Sequence, residues 1–528
     1  MNKKRIRLLT LLLALCMLVP MLFACGGGGG EEDESLGGGT FIPDDDPLKP
    51  YEELDFGNKQ ITISLSQFIG TEIPDRSEQY IKGPDRTGKN NVQNLIYERN
   101  RSVQRTIQVK PYYVYTNLNY HEIASDIQTH VLTPTAKSPD LYIDQVWGLL
   151  RAQMAGHLYN AYGENKTSHI DFGDQTQKTD NGWYNDYMKA FNFASDTKCY
   201  VLAGDYFMDV IRMLNLVGCN TTLFDQRLVK LGGKDALYEA VENGEWTVDK
   251  LVEWSEAAAL DSNNNGKADV NDAVIGTGLI SGGASAMGIL PACGVSMFKI
   301  EDGGKTVKAE PDSRAFNVIT KWIDALKNKG VFKMTSIPHG GTYTMENLRD
   351  SFTSGKVLFA TGIQLNSMET ETFQNMEDYK CVLPFPKYES GDDYIVTTHD
   401  NARGGSILKC SSKFEEVTAW LQAMSVSSTE ILNEYYNGAL KFKESNDYGS
   451  ARMMDIIYEN ISAPYYMLGS AVIGIQNLPI NDADWPTDCS IITMATTNEY
   501  TSKYQAAQGP LGIGLRDYRA KFDALKDS

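Results

Sequence analysis

Residues 140–155 read DLYIDQVWGLLRAQMA. Asp140-Leu141-Tyr142-Ile143-Asp144 is a short apolar run of strand character. Gln145-Val146-Trp147 leads out of it into a helix over Gly148–Ala155. A strand delivered straight into a helix is the repeating unit of α/β folds built on a mostly parallel sheet. The same rhythm extends upstream. Ile61-Thr62-Ile63-Ser64-Leu65 alternates as a strand. Asn91–Gln104 carries Val92, Leu95, Ile96 and Val103 at helical spacing, and Thr106–Val109 returns to strand.

Downstream, Val248–Ala259 is predicted as a helix with Thr247 as its N-cap and Asp249 in the first turn. Phe316–Leu326, Phe414–Met424 and Tyr448–Ile457 read as further helices. Ser354–Ala360 is a turn into a buried strand, and Lys380–Pro386 a strand ended by prolines. No repeat of solenoid period is present.

The chain has 528 residues, room for two to four domains. Its 49 Lys and Arg stand against 68 Asp and Glu, for a net charge of −19. That balance argues against nucleic acid as the main partner, since phosphate binding needs a cationic face.

The extreme N-terminus differs from the rest. Lys3, Lys4, Arg5 and Arg7 precede an uncharged run, Leu8–Phe23, and then Ala24-Cys25 and five glycines. The run is short for a membrane span and suits a signal peptide. Leu22-Phe23-Ala24-Cys25 resembles the lipobox of bacterial lipoproteins, in which Cys25 is lipidated and becomes the new N-terminus. Residues 1–24 are then a lipoprotein signal peptide, and 25–56 the lipidated Cys with a flexible acidic and Gly-rich tether. Loss of the four cations takes the charge to −23. The expected location is extracytoplasmic, anchored to the cell membrane.

Cys199, Cys219, Cys293, Cys381, Cys410 and Cys489 remain beyond the signal and Cys25. They are widely scattered, with no CxxC pair and no zinc spacing. Their even number outside the cell permits disulfides; buried free thiols are the other reading.

Residues 261–272 read DSNNNGKADVND. Asp261, Asn263, Asn265, Asp269 and Asp272 stand at loop positions 1, 3, 5, 9 and 12. Gly266 is at 6, and Lys267 offers a backbone carbonyl at 7. This resembles an EF-hand-type calcium loop, in which odd positions wrap oxygens around a hard cation. Asp272 is shorter than the usual bidentate Glu, and Ala273–Gly276 reads as strand rather than a second helix. A structural Ca2+ site is expected; a polar Asn-Gly turn is the alternative.

No HExxH, no GxSxG and no P-loop occurs, so no catalytic residue is expected. The 28 Tyr, 19 Phe and 7 Trp include candidates for stacking on sugar rings. Trp147 follows a strand end, where α/β sheets take ligands. Trp183 lies in a polar stretch, whereas Trp246 and Trp254 are expected in the core.

Several segments, in order, resemble the carbohydrate-type family 1 extracellular solute-binding proteins of ABC importers. They are the lipobox and tether, Tyr97-Glu98-Arg99-Asn100, Lys198–Asp205, Gly244–Asp249 followed by the Asp/Asn/Gly loop, Phe352–Ala360, and Leu383–Tyr388. Glu434–Tyr436 and the helix from Asp447 complete the series, which covers about residues 57–470. Two departures are Leu141–Asp144, where the family has a Tyr-Asp pair, and Cys199, where Gly-Lys-Tyr is usual.

The resemblance implies a periplasmic-binding-protein-like type II fold: two α/β lobes with a ligand cleft and hinge crossings. Lobe 1 would be 57–208 plus 378–430, and lobe 2 would be 209–377 plus 431–528. Crossings would fall near 205–214, 378 and 430. It implies a monomer that captures a sugar or oligosaccharide and delivers it to ABC permease subunits, without catalysis. A ligand-presenting sensory receptor of the same fold and a surface glycan-degrading enzyme are the alternatives. Strand ends and crossings supply the expected ligand contacts: Gln67, Asp144, Gln145, Trp147, Asp205, Tyr206, Gln364, Asp400, Asn401 and Arg403, with Trp183 as a stacking platform.

Overall fold

The computed structural model describes residues 46–67, 77–87, 90–163, 165–281, 283–295, 298–301, 306–309, 313–335, 345–399, 402–436, 448–462 and 500–525. The signal, the lipobox with Cys25 and most of the tether lie outside the described residues. Among the described residues no helix is long and apolar enough to cross a membrane.

The strands in chain order are β1 (Lys59–Ser66), β2 (Val109–Thr116), β3 (Leu141–Gln145), β4 (Asn215–Asn220), β5 (Ile275–Ser281), β6 (Phe298–Glu301), β7 (Thr306–Ala309), β8 (Val331–Thr335), β9 (Val357–Gln364), β10 (Lys380–Leu383) and β11 (Arg403–Ile407). They form two sheets, ordered β11-β3-β1-β2 and β10-β4-β9-β5-β8, with β6 and β7 as a separate pair. The fold is therefore mixed α/β with two sheets.

In the first sheet β1 runs parallel to β2 and β3, and β11 antiparallel to β3. Ile61, Ile63 and Leu65 are buried, and so are Thr62, Ser64 and Ser66 between them. Burial on both faces is what helices on both sides of a parallel sheet impose. The helix Asn91–Ile107 is one source of that cover. Asn90 caps it, its side chain accepting from Gln93 N–H at 2.9 Å. It runs further than expected, to Ile107. Gln108 then turns left-handed at φ 53°, and the strand begins only at Val109.

In the second sheet β9, β5 and β8 are parallel, while β4 and β10 add antiparallel strands at one edge. The helix Val248–Ala258 begins where expected, with Thr247 Oγ1 accepting from Lys250 N–H at 3.3 Å. Its Ser255 turn sits directly on strand backbone. A Cβ on Gly276 would lie 2.2 Å from Ser255 O, and one on Gly330 2.4 Å from it. Glycine at both positions lets the helix approach this closely.

Two apolar clusters result. Ile61, Ile143, Leu149, Trp183 and Trp420 belong to one; Phe224, Trp246, Trp254, Trp322 and Phe359 to the other. Two segments of the family resemblance meet in the second. Trp246 Nε1 donates to Pro384 O at 2.9 Å, Lys387 N–H to Trp246 O at 3.0 Å, and Val248 N–H to Lys387 O at 2.9 Å. Those segments build the core rather than a ligand surface.

Chain passage between the sheets departs from the expected boundaries at two places. β10 pairs with β4, so the chain stays in the second sheet past residue 378 and returns through 384–402. The terminal helix Tyr500–Ala524 sets Tyr518 and Phe522 against Phe193, with ring centroids 4.8 and 5.2 Å apart. That end of the helix packs with the first sheet's elements, not the second's.

Candidate functional site

Two stretches that link the sheets lie beside each other, with the residues that follow the helix Tyr448–Glu459 alongside. Asn215 N–H donates to Thr397 O at 2.8 Å and His399 N–H to Met213 O at 2.9 Å. Val396 N–H donates to Asn460 O, and Ser462 N–H to Val396 O, both at 2.9 Å. The parallel strands β1, β2 and β3 end together at Ser66, Thr116 and Gln145, and Arg403 starts β11 opposite Gln145. In the second sheet Asn215 stands opposite Gln364, the last residue of β9. Both sheets thus turn the carboxyl ends of their parallel strands toward the crossings, which is where open α/β sheets bind ligands.

A buried ionic chain spans this junction. Arg403 Nη1 donates to Asp209 Oδ2, and Arg212 Nη1 to Asp209 Oδ1, both at 2.8 Å. Arg212 Nε donates to Glu369 Oε1 at 2.8 Å, and Tyr435 OH to the same oxygen at 2.6 Å. Arg212 also lies 4.4 Å from the Tyr80 ring centroid. Burial alone would lower its pKa, but Glu369 and Asp209 hold it well above the usual guanidinium value. Each carboxylate faces a guanidinium fork, an arrangement that fixes geometry rather than moves protons. Asp209, Arg212 and Glu369 were not among the expected residues. A signal was present: Asp209 and Arg212 are opposite charges three apart inside the apolar run Tyr206–Leu216.

Asp205 opens the first crossing. Its carboxylate accepts from Tyr458 OH at 3.4 Å and Thr429 Oγ1 at 3.5 Å. Burial pushes its carboxyl up to about 6, against the pull of the Tyr184, Tyr458 and Thr429 hydroxyls. The folded protein therefore holds this proton more tightly than the unfolded chain, where the ordinary value is 3.8. The associated stability is complete below pH 3.8 and is lost as pH rises through about 6. Asp205→Asn is expected to remove a decline of about 3 kcal/mol over that window. Urea unfolding midpoints measured from pH 4 to 7 check this; parallel profiles for the two proteins would refute it.

The other expected residues divide into groups. Gln145 and Arg403 are brought together in register, and Gln364 sits opposite Asn215. Gln67 directly follows β1, its Nε2 donating to Glu78 Oε2 at 2.9 Å. Asp144 is fully buried, its Oδ1 accepting from Gln145 N–H at 2.7 Å. Trp147 is covered edge-on by Tyr120 and His121 and by Arg151, whose guanidinium lies 4.6 Å from its centroid. Trp183 is 0% exposed and donates through Nε1 to Gln422 Oε1 at 2.8 Å, so it is a core ring with no face left for a ligand. Tyr206 is likewise 0% exposed and lies under Arg99. Arg403 is engaged by Asp209. Asp400 and Asn401 lie outside the described residues.

Several buried polar atoms at this junction have no hydrogen-bond partner in the structure. They are Ser66 Oγ and Thr116 Oγ1, which stand in register at their strand ends, both amide atoms of Asn215, and Asn366 Oδ1 and Ser367 Oγ just beyond β9. Each such atom costs about 1–3 kcal/mol if left unpaired in the interior.

The loop 261–272 lies apart from this junction. Gly266 and Asn264 take positive φ, 75° and 55°. Asp261 Oδ2 accepts from Gly266 N–H at 2.8 Å, Asp269 Oδ2 from Asn263 and Asn265 amides at 2.9 and 2.6 Å, and Asp272 Oδ2 from Asp269 N–H at 2.8 Å. Asp261, Asn263, Asn265, Asp269 and Asp272 give this loop hard oxygen donors of the kind calcium takes. Among the described residues no three His, Cys, Asp or Glu side chains converge on one point.

No protein-family model and no curated protein matches the sequence. Solved structures do show similarity. The galacto-N-biose/lacto-N-biose I-binding protein of the ABC transporter from Bifidobacterium longum, in complex with lacto-N-biose, aligns with a TM-score of 0.49 at 11% identity, over 88% of this chain and 98% of that one. A cyclo/maltodextrin-binding protein complexed with maltotetraose aligns with a TM-score of 0.49 at 13% identity, over 89% and 98%. The GacH receptor of Streptomyces glaucescens GLA.O aligns with a TM-score of 0.46 at 14% identity, over 89% and 99%.

Proposed function

We propose that this protein binds a hydroxyl-rich solute, a sugar or oligosaccharide, between its two sheets and hands it to an ABC permease while tethered to the membrane through Cys25. The observation that carries the ligand reading is the set of unpartnered polar atoms on Ser66, Thr116, Asn215, Asn366 and Ser367, at strand ends beside the crossings. A polyol offers donors and acceptors on every carbon and answers such a set; an apolar ligand would leave it unpaired. Capture then works by population shift. A solute touching both sheets favours the arrangement in which both reach it, and that arrangement is what the permease would read. No bond in the solute is broken.

A thermal-shift screen of mono- and oligosaccharides tests this. At a concentration about 100 times Kd a true ligand adds about 2.7 kcal/mol to the folded state and raises Tm. Asn215→Leu should abolish that rise while the protein still melts cooperatively. A complete panel without a shift would sink the carbohydrate reading.

The loop 261–272 we assign to Ca2+, held by Asp261, Asn263, Asn265, the Lys267 carbonyl, Asp269 and Asp272. Bound calcium would link the helix Val248–Ala258 to β5. Chelation is then expected to lower Tm, with recovery on adding calcium but not magnesium. An unchanged melt after chelation would leave the loop as a polar turn.

A further inference from the structure

Two of the scattered cysteines meet. Cys219 in β4 and Cys381 in β10 stand directly opposite each other in an antiparallel pair, and both are fully buried. Thr221 N–H donates to Tyr379 O at 3.0 Å, which makes that opposed pair a hydrogen-bonded one. Ladder alternation then makes Cys219 and Cys381, two residues further in, hydrogen-bonded as well, with Cα atoms about 5.5 Å apart. Disulfides span about 4.4–6.8 Å between Cα atoms. Both are free thiols in this structure, and burial, with the neighbouring Cys381 thiol, pushes the Cys219 thiol up.

The other described cysteines are differently placed. Cys199 points its Sγ at Val201 O at 3.5 Å, Cys293 at Pro386 O at 3.7 Å, and Cys410 at Pro139 O at 3.8 Å. Each of these has a backbone carbonyl as acceptor, whereas Cys219 and Cys381 face another thiol.

The geometry points to Cys219 and Cys381 as a redox-active pair that closes to a disulfide when the chain folds in contact with a disulfide oxidant. One cysteine, as thiolate, attacks the oxidant's S–S bond. A mixed disulfide forms and one oxidant thiolate leaves. The second cysteine attacks the mixed disulfide, the Cys219–Cys381 bond forms, and the second oxidant thiolate departs. Two electrons pass to the oxidant, and the two cysteine protons go to solvent. Because burial pushes the Cys219 thiol up and hides it, the step belongs to folding, before the second sheet closes. The bond would staple the strand that follows the first crossing to the strand that precedes the return.

The test refolds the full chain from denaturant with either oxidised glutathione or an excess of reduced thiol. Each product is then unfolded in an alkylating agent without reductant. The oxidised product is expected to yield Cys219 and Cys381 in one cross-linked peptide, with Cys199, Cys293 and Cys410 alkylated. It should also melt about 2–5 °C higher than the reduced one. Cys219→Ala should leave Cys381 alkylatable and erase the difference in Tm. Alkylation of both cysteines in the oxidised product, or their recovery in other pairings, would overturn the inference. The readout needs no saccharide and no compartment, so its outcome is separate from that of the binding screen.

Discussion

Arg212→Ala is expected to lose about 3–5 kcal/mol of folding stability, the cost of leaving buried carboxylates without their counter-ion. Arg212 is 1% exposed, and its guanidinium is shared between Asp209 and Glu369, themselves 0% and 5% exposed at the side chain. Removal strands both anions in an interior that water does not reach. Glu369 would retain the Tyr435 hydroxyl and Asp209 would retain Arg403, but each would lose its Arg212 contact. Arg212→Lys should also lose stability, because one ammonium cannot match two carboxylates in the planes the fork now serves. An ion pair of the open surface gives the contrast. Lys321 and Asp249 lie 2.6 Å apart, yet the Asp249 side chain is 73% exposed. Breaking that pair should cost under about 1 kcal/mol. Guanidinium unfolding of the three variants checks the ordering. A loss for Arg212→Ala no larger than that of the surface pair would show that the junction is not held by this chain of charges.

Trp246→Ala should fall in the same range, about 3–5 kcal/mol, for a different reason. The ring is fully buried, stacked on Trp254 at 5.9 Å with an interplanar angle of 24°, and 5.3 Å from Phe359. Truncation opens a cavity among rings that are too rigid to fill it. It also strands the Pro384 carbonyl that Nε1 now satisfies. Trp246→Phe keeps most of the volume and should cost about 1–3 kcal/mol, the hydrogen-bond share. Equal losses for the two variants would show that packing contributes little at this position. Where Trp246→Ala remains folded, saccharide binding should persist, because this ring belongs to the second core and not to the strand ends.

What could be read from the chain alone follows from what is local. The alternation of Ile61–Leu65, the cap at Thr247 and the strand-to-helix passage at Gln145–Trp147 are set by neighbours in sequence, and they fold as read. The sheet that takes β10 is not local. Lys380–Leu383 is buried at every position, so its pattern is that of any interior strand, and only pairing with β4 places it. The aromatic candidates failed for a related reason. A polar neighbourhood in sequence suggested an open face for Trp183, but Gln422, far away in the chain, closes over its indole N–H. Charged side chains gave the better signal. Arg403 stands at the junction with its guanidinium on Asp209, while Asp209 and Arg212, charges within an apolar run, were not read as junction residues.

The pairing of β11 with β3 has a consequence for how the chain comes to be folded. β3 is complete once residue 145 is made, but its outer edge stays open until Arg403–Ile407 arrives. The whole second sheet, one uninterrupted stretch from β4 to β10, is made in between. That sheet can finish while the first still shows an unpaired edge, a template for the wrong strand in a crowded nascent population. The late contact between distant parts of the chain also makes closure of the first sheet the slow event. Chains cut short before residue 403 should therefore carry a paired second sheet, still without its covering helix Tyr448–Glu459, and an adhesive first sheet.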